Sequence, residues 1–218
     1  MILGPLAAGV GLLCLRPENL RRILVVAMTL AVCGGALVLA RLPFPLEVPA
    51  LPVNHHALNL VMLLISVGMA LYITYVGVRN RKPLIVTLML AQAGLMTWFE
   101  LTQGSKVEVT QHFFVDHLAV IMALINGVVG GGICLYALDY MREYHEVHHP
   151  EVADRRPMFF SLLFVFMGAM FGIIFSNNLL WLFLFWEITT LCSFLLIGYT
   201  GTEEANRHAL KALTMNLA

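Results

Sequence analysis

The sequence predicts an all-α fold, a polytopic transmembrane helical bundle of seven spans plus the start of an eighth. Three observations carry that reading. Of 218 residues, 60% are hydrophobic and only 12% charged, with a mean hydropathy of +0.84, well outside what a soluble domain needs to fill its core. The apolar residues gather in runs near the roughly 20-residue length that a membrane helix requires, without the period-two alternation of an outer-membrane barrel. Lysines and arginines keep to the connections between the first seven runs.

The first run, 1–15, is the shortest; it has no basic leader and reads as a helix, not as a cleaved signal peptide. Runs 23–40, 57–78 and 83–99 follow, then a connection, 100–112, whose "KVEVTQ" alternates with period two and is expected to form a short external strand or hairpin. Runs 113–138, 158–175 and 178–198 complete the seven. An eighth begins near Glu204 and is cut off at Ala218, so the chain is expected to be the N-terminal part of something longer.

Basic residues support both the helix count and an orientation. Arg16, Arg21 and Arg22 fall in the first connection, Arg79, Arg81 and Lys82 in the third, Arg142, Arg155 and Arg156 in the fifth, and Arg207 and Lys211 after the seventh run. Only Arg41 and Lys106 lie in the even connections. By the positive-inside rule the odd connections are cytoplasmic and the N-terminus lies outside.

Sorted by depth, most acids fall in connections, where solvation explains them. Asp116 and Asp139 lie toward opposite ends of the fifth run and can reach the interface. Glu187, in "LLWLFLFWEITTLCSFLLIGY", stands alone about nine residues into its helix, roughly 13 Å along the axis and close to the midplane. An ionisable group there costs about 2.5–3.5 kcal/mol on insertion scales and normally faces a protein interior or a water-filled path. Two readings stay open: a protonated acid hydrogen-bonded as packing glue, or a protonation site on an ion pathway whose proton affinity an approaching cation would lower. Thr190, one turn on and on the same face, can bond it or hold a water, while Trp186 packs. Lys211 is the basic residue set deepest in the later span. It reads either as a snorkelling interface lysine or as part of the path. Asn126 is a weaker candidate to line the same path.

Several patterns look like chemistry without its context. "HEVHH", His145–His149, matches the zinc-binding H-E-x-x-H, but Pro150 follows at once and no third ligand has suitable spacing. It reads as a solvated histidine cluster at the interface, and no metal site is expected. Cys14, Cys33, Cys134 and Cys192 are scattered singly through apolar runs, so they supply no iron–sulfur ligand run and read as buried structural residues. Gly127 and Gly131 form a G-x-x-x-G pair suited to close helix packing. No phosphate loop, Ser/His/Asp arrangement or nucleic-acid signature is present. The chain thus shows no catalytic centre and no cofactor of its own, and any redox centre would belong to a partner.

These residues also carry a resemblance. "WEITTLCSFLLIGY" closely resembles the W-E-x-x-x-L-C-S-[YF]-L-L-I-G motif of the antiporter-like, proton-conducting membrane subunits of respiratory complex I, Mrp antiporters and membrane-bound hydrogenases. "FFVDHLAVIMALINGVVGGGICLYALDYM" is similar to the segment that opens that family's core, and "FSNNLLWLFLFWE" to the approach to its glutamate. "FSNNL", "TEEA" and the ending "KALTMNLA" are most similar to the large antiporter-like subunit of Ech-type energy-converting nickel–iron hydrogenases. The resemblance covers about half the chain, from Phe113 to Ala218. It divides the chain into an N-terminal four-helix segment with an external loop, 1–112, and the start of the proton-conducting core, 113–218. Four helices before Phe113, where complex I subunits have two, favour a hydrogenase or otherwise divergent lineage.

The resemblance maps the family's glutamate onto Glu187 and a lysine onto Lys211; the lysine that partners the glutamate stands on a later, broken helix that this sequence does not reach. It implies a proton- or sodium-translocating subunit in a prokaryotic cell membrane. The expected partners are other membrane subunits of a complex I-like assembly, a peripheral nickel–iron hydrogenase or related iron–sulfur subunits, and the lipid bilayer. Two alternatives are a subunit of a stand-alone Mrp-type sodium/proton antiporter and a structural membrane anchor for a peripheral oxidoreductase.

Overall fold

A computed structural model describes the backbone of residues 1–15, 17–42, 46–47, 55–99, 102, 113–148 and 154–218. Helices form where the apolar runs predict them. In chain order they are α1 (Leu3–Cys14), α2 (Glu18–Leu39), α3 (His55–Arg79), α4 (Pro83–Phe99), α5 (His117–Leu124), α6 (Gly130–Glu143), α7 (Arg156–Phe175), α8 (Leu179–Ile197) and α9 (Glu203–Leu217). A π-helical turn, Ile125–Val129, joins α5 and α6 into one continuous rod, and a second, Tyr144–His148, extends it.

Among the described residues, four helical stretches are long and apolar enough to cross a bilayer: Glu18–Leu39, His117–Val147, Arg156–Phe175 and Leu179–Ile197. The apolar stretches Leu3–Cys14, Leu64–Arg79 and Pro83–Trp98 are shorter. Inside a bilayer a helix satisfies its own backbone, so an apolar run becomes a helix whatever its side-chain propensities.

Helix ends follow local chemistry. Helix α2 starts one turn before its apolar run, at Glu18, with extended Pro17 before it and an acid in the first turn where the helix dipole favours one. Asp116 caps α5 by accepting from the Ala119 amide at 2.7 Å, Asn178 caps α8 through the Leu180 amide, and Thr202 caps α9 through the Ala205 amide. Each side-chain oxygen satisfies one of the donors left free in a first helical turn. The "KVEVTQ" segment lies outside the described residues. The strand pairing that is described joins Leu46–Glu47 to Phe114–Val115 in antiparallel register, and Phe113 bridges to Ser176.

One buried cluster runs through α1, α2, the α5–α6 rod and α7, with Leu12, Val25, Val32, Ala123, Cys134 and Phe164 at its centre. A second joins α3, α4 and α9 through Ile73, Ile85, Met89 and Leu213. Lipid is as apolar as leucine, so such helices associate by close packing, which small residues permit.

The G-x-x-x-G pair does this against α2. A Cβ on Gly127 would sit 2.9 Å from the Ala36 Cβ, and one on Gly131 2.9 Å from the Cys33 sulfur and 3.0 Å from the Thr29 methyl. The thiol of Cys33 donates to the Gly127 carbonyl at 3.0 Å. Gly131→Leu is therefore expected to lower the thermal stability of the full-length protein by about 1–3 kcal/mol through overpacking. An unchanged melting temperature in detergent would show that α2 does not approach there. Cys134 and Cys192 are buried as expected, but Cys14 is exposed, because it ends α1 on the face turned from α7 and α2.

Candidate functional site

Helix α8 places Glu187 ninth of its 19 residues and buries it to 4% exposure, while Trp186 beside it is 53% exposed. The acid therefore faces protein. A change of one residue in register would have turned it outward. Gln92 of α4 donates from Nε2 to Glu187 Oε1 at 3.2 Å. Ser66 of α3 also bears on the carboxyl group. The second carboxyl oxygen, Oε2, is buried and has no hydrogen-bond partner among the described residues. A buried polar atom without a partner is costly in a low-dielectric interior.

The other sequence-derived candidates do not converge on this carboxyl. Thr190 is buried at 4% exposure, but Gln92, not Thr190, makes the hydrogen bond to Glu187. Lys211 lies on the exposed face of α9, whose buried face carries Ala209, Leu210 and Leu213. Asn126 sits in the first π-turn and donates to the Met167 carbonyl at 3.1 Å, tying the α5–α6 rod to α7. Such π-turns are frequent at functional sites. Gln92 and Ser66 carry no sequence signal, being ordinary polar residues within apolar runs; only the packing of α3 against α8, and of α4 against α3 and α9, brings them in.

The histidine segment requires a correction. His145 is not solvated: it is 7% exposed, and its Nε2 makes a 2.8 Å hydrogen bond with the Tyr199 hydroxyl. The second π-turn swings it inward beneath the end of α8. Burial pushes the Tyr199 phenol up to about 12, so it stays protonated. Glu146, the base of a zinc-protease reading, pairs with Arg156 at 3.4 Å instead. The His148 side chain and His149 lie outside the described residues, and among those described no group of three or more metal-ligating side chains occurs.

The site lies within a segment with known relatives. Residues 176–218 match the family model described as NADH:quinone oxidoreductase/Mrp antiporter, TM, and residues 98–149 match that described as NADH-Ubiquinone oxidoreductase (complex I), chain 5 N-terminus. Both segments are thus similar to the antiporter-like subunits of complex I and Mrp assemblies. The family's reach is thus two blocks on either side of α7, and α1 to α3 lie before both.

A probable potassium/proton antiporter protein of Rhizobium meliloti is 38% identical over 102 residues, 47% of this chain and 9% of that protein. A sodium/proton antiporter protein of Staphylococcus haemolyticus is 32% identical over 93 residues, 43% of this chain and 10% of that protein. Its namesake from Staphylococcus aureus is 31% identical over 93 residues, with the same two shares. All three are named as subunits of their antiporters. The chain spans about a tenth of the length of the curated relatives it matches. Apolar helices of crossing length together with bacterial membrane-antiporter relatives make it a multi-pass protein of a prokaryotic membrane.

Proposed function

We propose that this chain belongs to an ion-translocating, antiporter-like membrane subunit in which Glu187 is the protonation site of the ion path. The observation that carries the reading is a carboxyl group at the middle of an apolar helix, turned into the protein and with one buried oxygen unpartnered among the described residues. A midplane acid placed this way is the usual mark of a proton or ion pathway. In this reading the seven apolar runs all span, the odd connections face the cytoplasm, and the N-terminus lies outside. Thr190 and Asn126 flank the path, and Lys211 stands at its cytoplasmic side. The resemblance supplies the cation that draws the proton from Glu187, a lysine on a broken helix.

Two assemblies suit such a protein. Motifs such as "FSNNL" and "KALTMNLA" resemble a hydrogenase subunit driven by a redox partner. The relatives' names, sodium/proton and potassium/proton antiporter subunits, support an Mrp-type antiporter that needs none, and this second assembly is the one favoured. Co-purification separates them: the full-length protein isolated from native membranes is expected to bring other membrane subunits without nickel or iron–sulfur centres. Nickel and iron in stoichiometric amounts would restore the hydrogenase reading. The ion path itself is tested by flux into membrane vesicles carrying Glu187→Gln.

A further inference from the structure

Gln92 reaches Glu187 across 95 positions of sequence, from a helix that lies almost wholly before the first family-matched block, which begins at residue 98. The second matched block contains Glu187 but neither of its polar neighbours. The α3–α4 pair packs on itself and against α8 and α9, sharing with α9 the cluster around Ile73, Ile85, Met89 and Leu213. It is thus fixed to the helix that carries the acid. Within an apolar bundle, a primary amide that donates to a carboxyl oxygen constrains how that group is oriented.

We propose that Gln92 is a positioning residue for the ion path. By donating to Oε1 it fixes the rotamer of Glu187 and leaves Oε2 as the one oxygen that can take or release a proton. The α3–α4 pair would then complete a site that the family-matched segments hold only in part. Ser66, from the other helix of the pair, supports the same carboxyl group. This inference rests on the ion-path reading of Glu187 for its function, though not for the contact itself.

The test uses the full-length protein in membrane vesicles and two readouts. Infrared difference spectra locate the carboxyl band of protonated Glu187, identified by its loss in Glu187→Gln. In Gln92→Met, of similar shape but without a donor, the band is expected to move to higher wavenumber as the carbonyl loses its hydrogen bond, and ion flux is expected to fall about tenfold, the range of a hydrogen bond to a charged group. Gln92→Asn, which keeps the amide but draws it back by one methylene, should move the band the same way and provides the reading if Gln92→Met does not insert. A band at the wild-type position in both variants overturns the proposal. So does a shifted band with undiminished flux in a protein whose flux Glu187→Gln abolishes. If Glu187→Gln itself leaves flux intact, the ion-path reading fails, and a shifted band in Gln92→Met still upholds the contact.

Discussion

Glu187→Gln is expected to lower ion flux through the full-length protein by about a hundredfold, the lower end of what a positioned proton-transfer group contributes, while leaving its amount in the membrane unchanged. The substitution is chosen for what it keeps. Glutamine has the shape of the protonated acid and an oxygen that can still accept from Gln92 at the 3.2 Å contact. It removes only the ability to release and regain a proton. If Glu187 served as protonated packing glue, glutamine would be an equal substitute and flux would be untouched. The anchor reading predicts more: even Glu187→Leu would be tolerated, because a buried acid replaced by an apolar residue relieves a cost. Flux and membrane abundance measured side by side in the two variants separate the readings, and wild-type flux in Glu187→Gln would end the ion-path proposal.

What the sequence disclosed about this site, and what it withheld, follows from the range of the interactions. Apolar runs predicted the helices because in lipid the run itself dictates the conformation. Depth along its run singled out Glu187, since a carboxylate in mid-helix has no solvent to explain it. The G-x-x-x-G spacing marked the close approach to α2, because small residues four apart lie on one helical face. Gln92 is not legible in the sequence because nothing local distinguishes an amide that faces a neighbouring helix from one that faces elsewhere, and its partner is 95 residues away. The burial of His145 is hidden from the sequence for a related reason. Its neighbours in sequence are polar, but a π-turn and Tyr199, 54 residues on, bury it. Arg21 likewise sits among charged residues yet is only 5% exposed, because α2 begins earlier than its apolar run.

Arg156→Ala is the substitution expected to cost the fold most among the charged residues. Arg156 opens α7, where the helix dipole disfavours a cation, so its placement there depends on the acids around it. Its side chain is 12% exposed and lies 2.8 Å from Asp154, 3.4 Å from Glu18 and 3.4 Å from Glu146. Those acids come from the start of α2, the second π-turn and the residue pair before α7, so one guanidinium pins three segments. Because the acids are about half-exposed, water screens part of each attraction, and the loss is about 2 kcal/mol, below the roughly 3–5 kcal/mol of a fully buried pair. Arg156→Lys recovers less than full stability, since an ammonium cannot reproduce the fork in which Nε and a terminal nitrogen both bond Asp154.

The pH dependence supplies an independent check. Partial burial would raise the Asp154 carboxyl, but the hydrogen bonds and charge of Arg156 outweigh it and hold the group below its usual range. A carboxyl depressed in the folded state contributes stability that is present above its unfolded pKa, about 3.9, and lost as pH falls through the lower folded value. The difference in thermal stability between wild type and Arg156→Ala is therefore expected to hold steady from neutral pH to about pH 5 and to shrink below about pH 4. A difference that persists undiminished at about pH 3, below the unfolded value, would mean that Arg156 contributes by packing its stem against its neighbours rather than by holding the three acids.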